Sequence, residues 1–386
     1  MYIPLMKSTF LGEQETKDAL CSFIQRSEKM SMGDEVSKFE TSFAKWQGRT
    51  HSVMVNSGSS ANLVILQALI NLGKLKEGDR IGVSAVTWAT NVMPVIQLGL
   101  VPVLIDVNLE TLNVSCEEVR KHSIHCLFIT HLLGFHGDIE AIAEHCKSKN
   151  ILLLEDTCES LGTICNSKKL GNFGLASTFS TFVGHHMSTI EGGLVATDDA
   201  ELNQMIRMVR AHGWDRNVTP EQRSELRSKW NINDFYGPYT FYTLGYNVRP
   251  MELQGLIGSI QLKYVDDANE NRCKSFYRVR ASIQTKDVMI PNQDVSAFAI
   301  PVICSSQEIR DTYVKKCKEM GIETRPIVAG NMNRQPFFKQ YMSQSPLPVA
   351  DKIHTCGFYL PNHPDLTESE IDYLSSVFRN ERTSKD

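Results

Sequence analysis

Two adjacent histidines, His185 and His186, sit in a turn rich in glycine and serine, Phe179-Ser-Thr-Phe-Val-Gly-His-His-Met-Ser-Thr-Ile-Glu-Gly-Gly193. Core histidines are not usually placed this way, and an imidazole there can move protons near neutral pH. Neighbouring side chains diverge and no carboxylate stands at a ligand-like spacing, so no metal site is expected. Three further segments carry chemistry. Asn56-Ser-Gly-Ser-Ser-Ala-Asn62 follows an apolar run and opens a helical one. Its small residues and free N–H groups suit an anion such as phosphate, or serve only as a capping turn. Leu153-Leu-Glu-Asp-Thr-Cys-Glu159 puts Asp156 at the end of a buried run. A carboxylate there can hold a heteroaromatic nitrogen protonated, or cap a helix. Trp88, in Ala85-Val-Thr-Trp-Ala-Thr90, can stack on a flat ligand ring or pack in the core.

The elements that must position these residues read as short apolar runs alternating with amphipathic stretches. Strands are expected at 52–56, 79–84, 101–106, 126–131, 151–155, 176–182 and 194–197, and helices at 61–72, 91–98, 139–148 and 200–210. Near-continuous apolar strands predict an α/β fold, a mostly parallel seven-stranded sheet with helices on both faces. In such sheets ligands bind beyond the carboxyl ends of the strands, where the polar clusters fall. Beyond Arg249 the texture changes. Residues 251–280 read as one long helical connector, 288–304 as new strand material, and the rest, through Leu360-Pro-Asn-His-Pro364, as a smaller α+β unit. The expected division is 1–250, a large ligand-binding domain, and 251–386, a connector with a small C-terminal domain.

Composition narrows the function. The chain has 386 residues, 42% hydrophobic and 22% charged, with 40 basic against 44 acidic side chains. Neither nucleic acid nor an anionic membrane is an expected partner. The most apolar stretch, Val92 to Val107, is interrupted by Pro94, Gln97, Gly99, Pro102 and Asp106, so no bilayer span is expected. No secretory signal opens the chain, and its ten cysteines include no CxC or CxxC pair, which makes the cytoplasm the expected compartment. Residues 380–386 are expected to fray.

Taken together and in order, the four segments resemble those of the DegT-like sugar-nucleotide aminotransferases, a family of fold-type I pyridoxal-phosphate (PLP) enzymes. The resemblance runs from Gly33-Asp-Glu-Val-Ser-Lys-Phe-Glu40 to Gly357-Phe-Tyr-Leu-Pro361. It implies that Asp156 partners the pyridine nitrogen and Trp88 stacks on the ring. Gly58 and Ser59 would offer backbone N–H groups to the cofactor phosphate, and Ser180 a hydroxyl. Glu159 would stand near the ring hydroxyl. Gly245-Tyr-Asn-Val-Arg-Pro250 implies that Asn247 reaches the phosphate of a neighbouring subunit, hence a homodimer with composite sites.

One departure decides the expected activity. Six residues before Glu191 this family carries its Schiff-base lysine; here that position is His185, and no lysine occurs between Lys169 and Lys229. Imidazole cannot make that covalent link, so PLP or its amine form, pyridoxamine phosphate (PMP), is expected to bind noncovalently with His185 as the base. The replacement resembles the 3-dehydratase branch of deoxysugar biosynthesis, matched at Gly184-His-His186, Arg210-Ala-His-Gly-Trp214, Gly245 to Pro250 and Arg325-Pro-Ile-Val-Ala-Gly-Asn331. An iron–sulfur branch acting on CDP-sugars carries a close cysteine pair that this chain lacks. The implied enzyme is a lyase removing the C3 hydroxyl of a nucleotide-linked 4-keto-6-deoxy sugar, foremost GDP-4-keto-6-deoxy-D-mannose, on a route toward lipopolysaccharide O-antigen. L-Glutamate would regenerate PMP, and ammonia would be released. His212 and Arg325 are candidate substrate contacts, each equally open to a structural role; a heptose in place of the deoxyhexose stays open. The alternatives are a sugar 4-aminotransferase, which would need the lysine, and a noncatalytic PLP-binding protein, against which the intact Ser59, Asp156, Ser180 and Asn247 argue.

Overall fold

Seven five-residue strands, most of them apolar, form the main sheet: β1 (His51–Val55), β2 (Arg80–Ser84), β3 (Val101–Ile105), β4 (Cys126–Thr130), β5 (Leu152–Asp156), β6 (Ala176–Ser180) and β7 (Gly193–Thr197). The computed structural model describes residues 1–379; the stretch 380–386, where fraying was expected, lies outside the described residues. Strand order is β1-β7-β6-β5-β4-β2-β3, and only β7 runs against its neighbours. Both faces are buried, as the run of apolar residues demands. On β1, Val53 and Val55 join one core while Met54 joins another; on β7, Val195 and the pair Leu194 and Ala196 divide likewise. The expected mostly parallel seven-stranded sheet is therefore present, with strand boundaries shifted by a residue or two.

A three-stranded antiparallel sheet, β8 (Val288–Met289), β9 (Ile300–Cys304) and β10 (Gly357–Leu360), forms the smaller C-terminal layer. The strand material expected across 288–304 is thus two short strands. Pro291 supplies no N–H to a ladder, and the irregular stretch between them leans its Ser296 carbonyl and Phe298 ring on the His185–His186 turn.

The single connector expected from 251 to 280 is two helices, Glu252–Gln261 and Val265–Ala281. The break falls where the N-terminal segment docks: Gln261 accepts a hydrogen bond from the Leu11 N–H (2.8 Å) and donates one to the Leu11 carbonyl (2.7 Å). Glu252, buried, caps the helix Asp34–Gln47 by accepting from the N–H groups of Gly33, Glu35 and Val36. Ile3 then bridges to Ile322, tying the start of the chain to the C-terminal layer. Among the described residues no helix is long and apolar enough to cross a membrane.

Candidate active site

Beyond the carboxyl ends of β1, β2, β4, β5 and β6 lies a cavity of about 570 Å³. Its walls bring together Gly58, Ser59, Trp88, Asp156, Glu159, Ser180, His185 and Arg325, eight of the ten residues expected from sequence. Strand register explains the convergence. Asp156 ends β5, Ser180 ends β6, and the pairing Ser180↔Gly193 brings the loop that carries His185 and Glu191 back to the same edge.

β1 leads into the helix Gly58–Asn71 through Ser57, whose hydroxyl accepts from the Ser60 N–H at 3.0 Å. The N–H groups of Gly58 and Ser59, in the first turn, have no intrahelical acceptor and favour an anion. A side chain at Gly58 would bring its Cβ within 2.7 Å of the Ser180 Cβ, and one at Gly193 within 2.4 Å of the Ser57 carbonyl. The two glycines therefore let the helix terminus close on the Ser180 hydroxyl, forming a small polar cradle.

Asp156 stands on the cavity floor, 4% exposed. Its Oδ2 accepts from the side-chain amides of Asn62 (3.0 Å) and Asn91 (2.6 Å), and its Oδ1 from the Cys158 N–H (2.9 Å). Three donors fix the orientation of the carboxylate. Trp88 opens onto the cavity with 56% of its surface exposed, an apolar face suited to a flat ring rather than a core position. Glu159 accepts from the Leu133 N–H at 2.8 Å. Burial, helped by the negative charge of Asp156, pushes its carboxyl up to about 7. It can therefore donate or accept a proton near neutrality.

His185 packs its ring against Phe298 (5.3 Å between centroids) and edge-on to Phe182 (6.3 Å). Burial lowers its imidazole to about 4, against the opposing pull of Asp156 and the Cys158 carbonyl. The ring is neutral at pH 7 and keeps a lone pair, the state of a base. Among the described residues no lysine lines the cavity. Lys169 instead lies 3.5 Å over the Trp46 ring, and Lys229 ends an exposed helix, Pro220–Lys229. Arg325, exposed at the mouth, pairs with Glu323 at 2.5 Å.

The remaining two expected residues lie outside these walls. His212 and Asn247 share an adjoining surface, where Ala211 bridges to Asn247 and the His212 N–H donates to the Tyr246 carbonyl at 2.7 Å. Asn247 is exposed, and its Oδ1 accepts from Arg249. Around it Tyr239, Phe241 and Leu244 expose between 57% and 73% of their surface.

Four site residues had escaped the sequence reading: Asn62, Asn91, Arg272 and Tyr359. Asn62 closes the quoted small-residue motif and Asn91 follows Trp88 by three, so both lay within reach of a search for donors to Asp156. Arg272 and Tyr359 arrive through packing of the C-terminal half and leave no local signal.

These buried groups make an acid-side prediction. His185 and His363 are both lowered by burial to about 4 from 6.5. The unfolded chain binds protons there first, so stability falls as pH drops from about 6.5 toward 4, by on the order of 3 kcal/mol for each ring. Glu159, raised, opposes this singly by losing its contribution as pH rises from 4.5 toward 7. The apoprotein melting temperature, read by scanning calorimetry, should fall steadily between pH 6.5 and 4.5; a flat or rising profile would contradict the burial of these rings.

Comparison with known proteins bears on the chemistry. The model of the DegT/DnrJ/EryC1/StrS aminotransferase family matches residues 12–379. A relative named GDP-4-keto-6-deoxy-D-mannose 3-dehydratase, from Yersinia pseudotuberculosis, is 37% identical over 97% of this chain and 98% of its own. The solved structure of the E. coli GDP-4-keto-6-deoxy-D-mannose 3-dehydratase with bound hydrated PLP superposes with a TM-score of 0.89 at 32% identity, covering 98% of this chain and 100% of that one. A structure of a GDP-4-keto-6-deoxymannose 3-dehydratase with a trapped PLP–glutamate geminal diamine gives the same TM-score, identity and coverage.

Proposed function

We propose that this chain, which belongs to the DegT/DnrJ/EryC1/StrS aminotransferase family, is a PLP/PMP-dependent lyase that removes the C3 hydroxyl of GDP-4-keto-6-deoxy-D-mannose. The observation that carries this reading is the neutral, buried imidazole of His185 on a cavity wall without lysine. The residues fit the cofactor: a cradle at Gly58, Ser59 and Ser180 for its phosphate, the Trp88 face for its ring, and the oriented Asp156 carboxylate for its pyridine nitrogen. When bound, the cofactor supplies a primary amine for the C4 ketone and an electron-withdrawing ring.

The protein's own groups then divide the work. Asp156 holds the proton on the ring nitrogen, with Asn62 and Asn91 keeping its Oδ2 in place. Glu159, poised near neutrality, hydrogen-bonds the ring hydroxyl. His185 takes a proton from the C4′ carbon and delivers one to the departing C3 oxygen of the sugar. With histidine at that place, these residues would hold the cofactor noncovalently, and L-glutamate would be the source of its amine nitrogen. Arg325 at the mouth and His212 beyond it serve the nucleotide sugar. The exposed apolar surface around Asn247 supports a homodimer in which Asn247 reaches the partner's cofactor phosphate. Ten free cysteines accord with a cytoplasmic protein.

The test follows the amine nitrogen. With PLP, 15N-labelled L-glutamate and GDP-4-keto-6-deoxy-D-mannose, the label should appear in free ammonia in step with 2-oxoglutarate. Label retained on the sugar would make the chain an aminotransferase.

A further inference from the structure

His185 borders a second space. Beside its residue is a cavity of about 30 Å³, room enough for water. Gly184, His185 and Arg272 form a wall common to both cavities. Leu5 and Met6 border both as well, while Lys7 to Leu11 and His363 line the smaller one alone.

Apolar cavities stay dry, but residues bordering this one carry unpaired buried polar atoms. His363 is 4% exposed, and neither ring nitrogen has a hydrogen-bond partner among the described residues. The Nδ1 of His185 and the Nε of Arg272 are buried and unpaired as well. Leaving such a group unsatisfied costs about 1–3 kcal/mol each, unless water satisfies it. The turn holding His363 is fixed: the Asn362 side chain donates to the Arg272 and Ala297 carbonyls (3.2 and 2.7 Å), and Arg272 Nη1 donates to the Asn362 carbonyl at 2.6 Å. Arg272 Nη2 also reaches the His185 carbonyl at 3.5 Å, so one side chain ties both histidine segments together.

We infer that the small cavity is a water site joining His363 to His185, which makes His363 a positioning residue for the base and an outlet for its proton. The water accepts from or donates to each ring and so selects which nitrogen of His185 carries hydrogen. When His185 is doubly protonated, its rear N–H passes to the water oxygen while the water passes one hydrogen to His363. Two bonds to hydrogen break, two form, and one positive charge moves between rings. Burial brings both imidazoles to about 4, so the transfer is nearly balanced. Around His363, Arg272 and Lys7 disfavour the charge while Asp365 and Glu370 favour it. Around His185, Asp156 favours it and Arg272 opposes it.

The outlet role rests on His185 being the base of the proposed reaction; the water site does not. Crystals of the full chain should show an ordered water within hydrogen-bonding distance, about 3.2 Å or less, of both rings. In the full chain without added cofactor, with 15N-labelled histidine, His363→Phe should displace that water and change the His185 tautomer or move its titration midpoint by about one unit. His363→Gln, which keeps a polar partner, should preserve both. A dry cavity, or a His185 whose tautomer and titration are both unchanged in His363→Phe, overturns the inference; if His363→Phe does not fold, the water in the unmodified chain and in His363→Gln decides. These readouts need no sugar. A chain that couples the rings yet fails to dehydrate the sugar would overturn the proposed function and leave the water site standing.

Discussion

His185→Asn should lower sugar dehydration by roughly 10²–10⁴-fold, the usual contribution of a general acid–base group. Asparagine keeps some of the hydrogen bonding and fills most of the space, so the contacts with Phe182 and Phe298 persist in part. Binding of PMP should therefore survive, because the phosphate cradle and Asp156 are untouched. The loss belongs in kcat more than in KM, since the proton moves after the sugar is bound. His185→Lys makes the complementary test. It should produce a cofactor that borohydride fixes to the protein, with dehydration suppressed, whereas borohydride should fix none to the unmodified chain. Full activity in His185→Asn would remove this residue from the reaction.

Asp156→Ala should have an effect of comparable size through a different route. The carboxylate is the designated charge beside the pyridine nitrogen, and removing one such oriented electrostatic group costs roughly 10²–10³-fold. It also strands the amide of Asn91 and leaves that of Asn62 with only the Thr90 carbonyl. Each unpaired buried donor costs about 1–3 kcal/mol, so the variant should melt earlier and release its cofactor on gel filtration, as read by absorbance. Asn62→Ala, which leaves the charge and one amide in place, should lose far less. Equal activity in Asp156→Ala and the unmodified protein would take the pyridine partner away from this carboxylate.

The strands of the main sheet were legible because most are short apolar runs bounded by turn residues; β6, Ala-Ser-Thr-Phe-Ser, is the most polar of them, yet it is buried along its whole length. Asp156, Ser180 and Trp88 were legible for a related reason: a polar or aromatic residue just past a buried strand has few places to go except the strand-end crevice. The break between Gln261 and Val265 was invisible, since Leu262-Lys-Tyr264 contains neither glycine nor proline and continues a helical period. Its cause, the docking of Leu11 on Gln261, lies 250 residues away in the chain. The support of Asp156 by two asparagines, and the approach of Arg272 and His363 to the back of His185, arise from packing between segments far apart. Spacing along one sequence does not encode such contacts. The strand read across 288–304 failed where Pro291 and the carbonyls given to Arg272 and Asn362 hold the chain away from a ladder.

The most direct test of the central claim is the mass of the nucleotide sugar after incubation with PLP, L-glutamate and GDP-4-keto-6-deoxy-D-mannose. A neutral His185 on a cavity wall without lysine predicts a product lighter than the substrate by one oxygen atom, the 3-deoxy-4-keto sugar, accumulating over many turnovers. A product in which an amino group has replaced the C4 ketone, with the C3 hydroxyl intact, would contradict it.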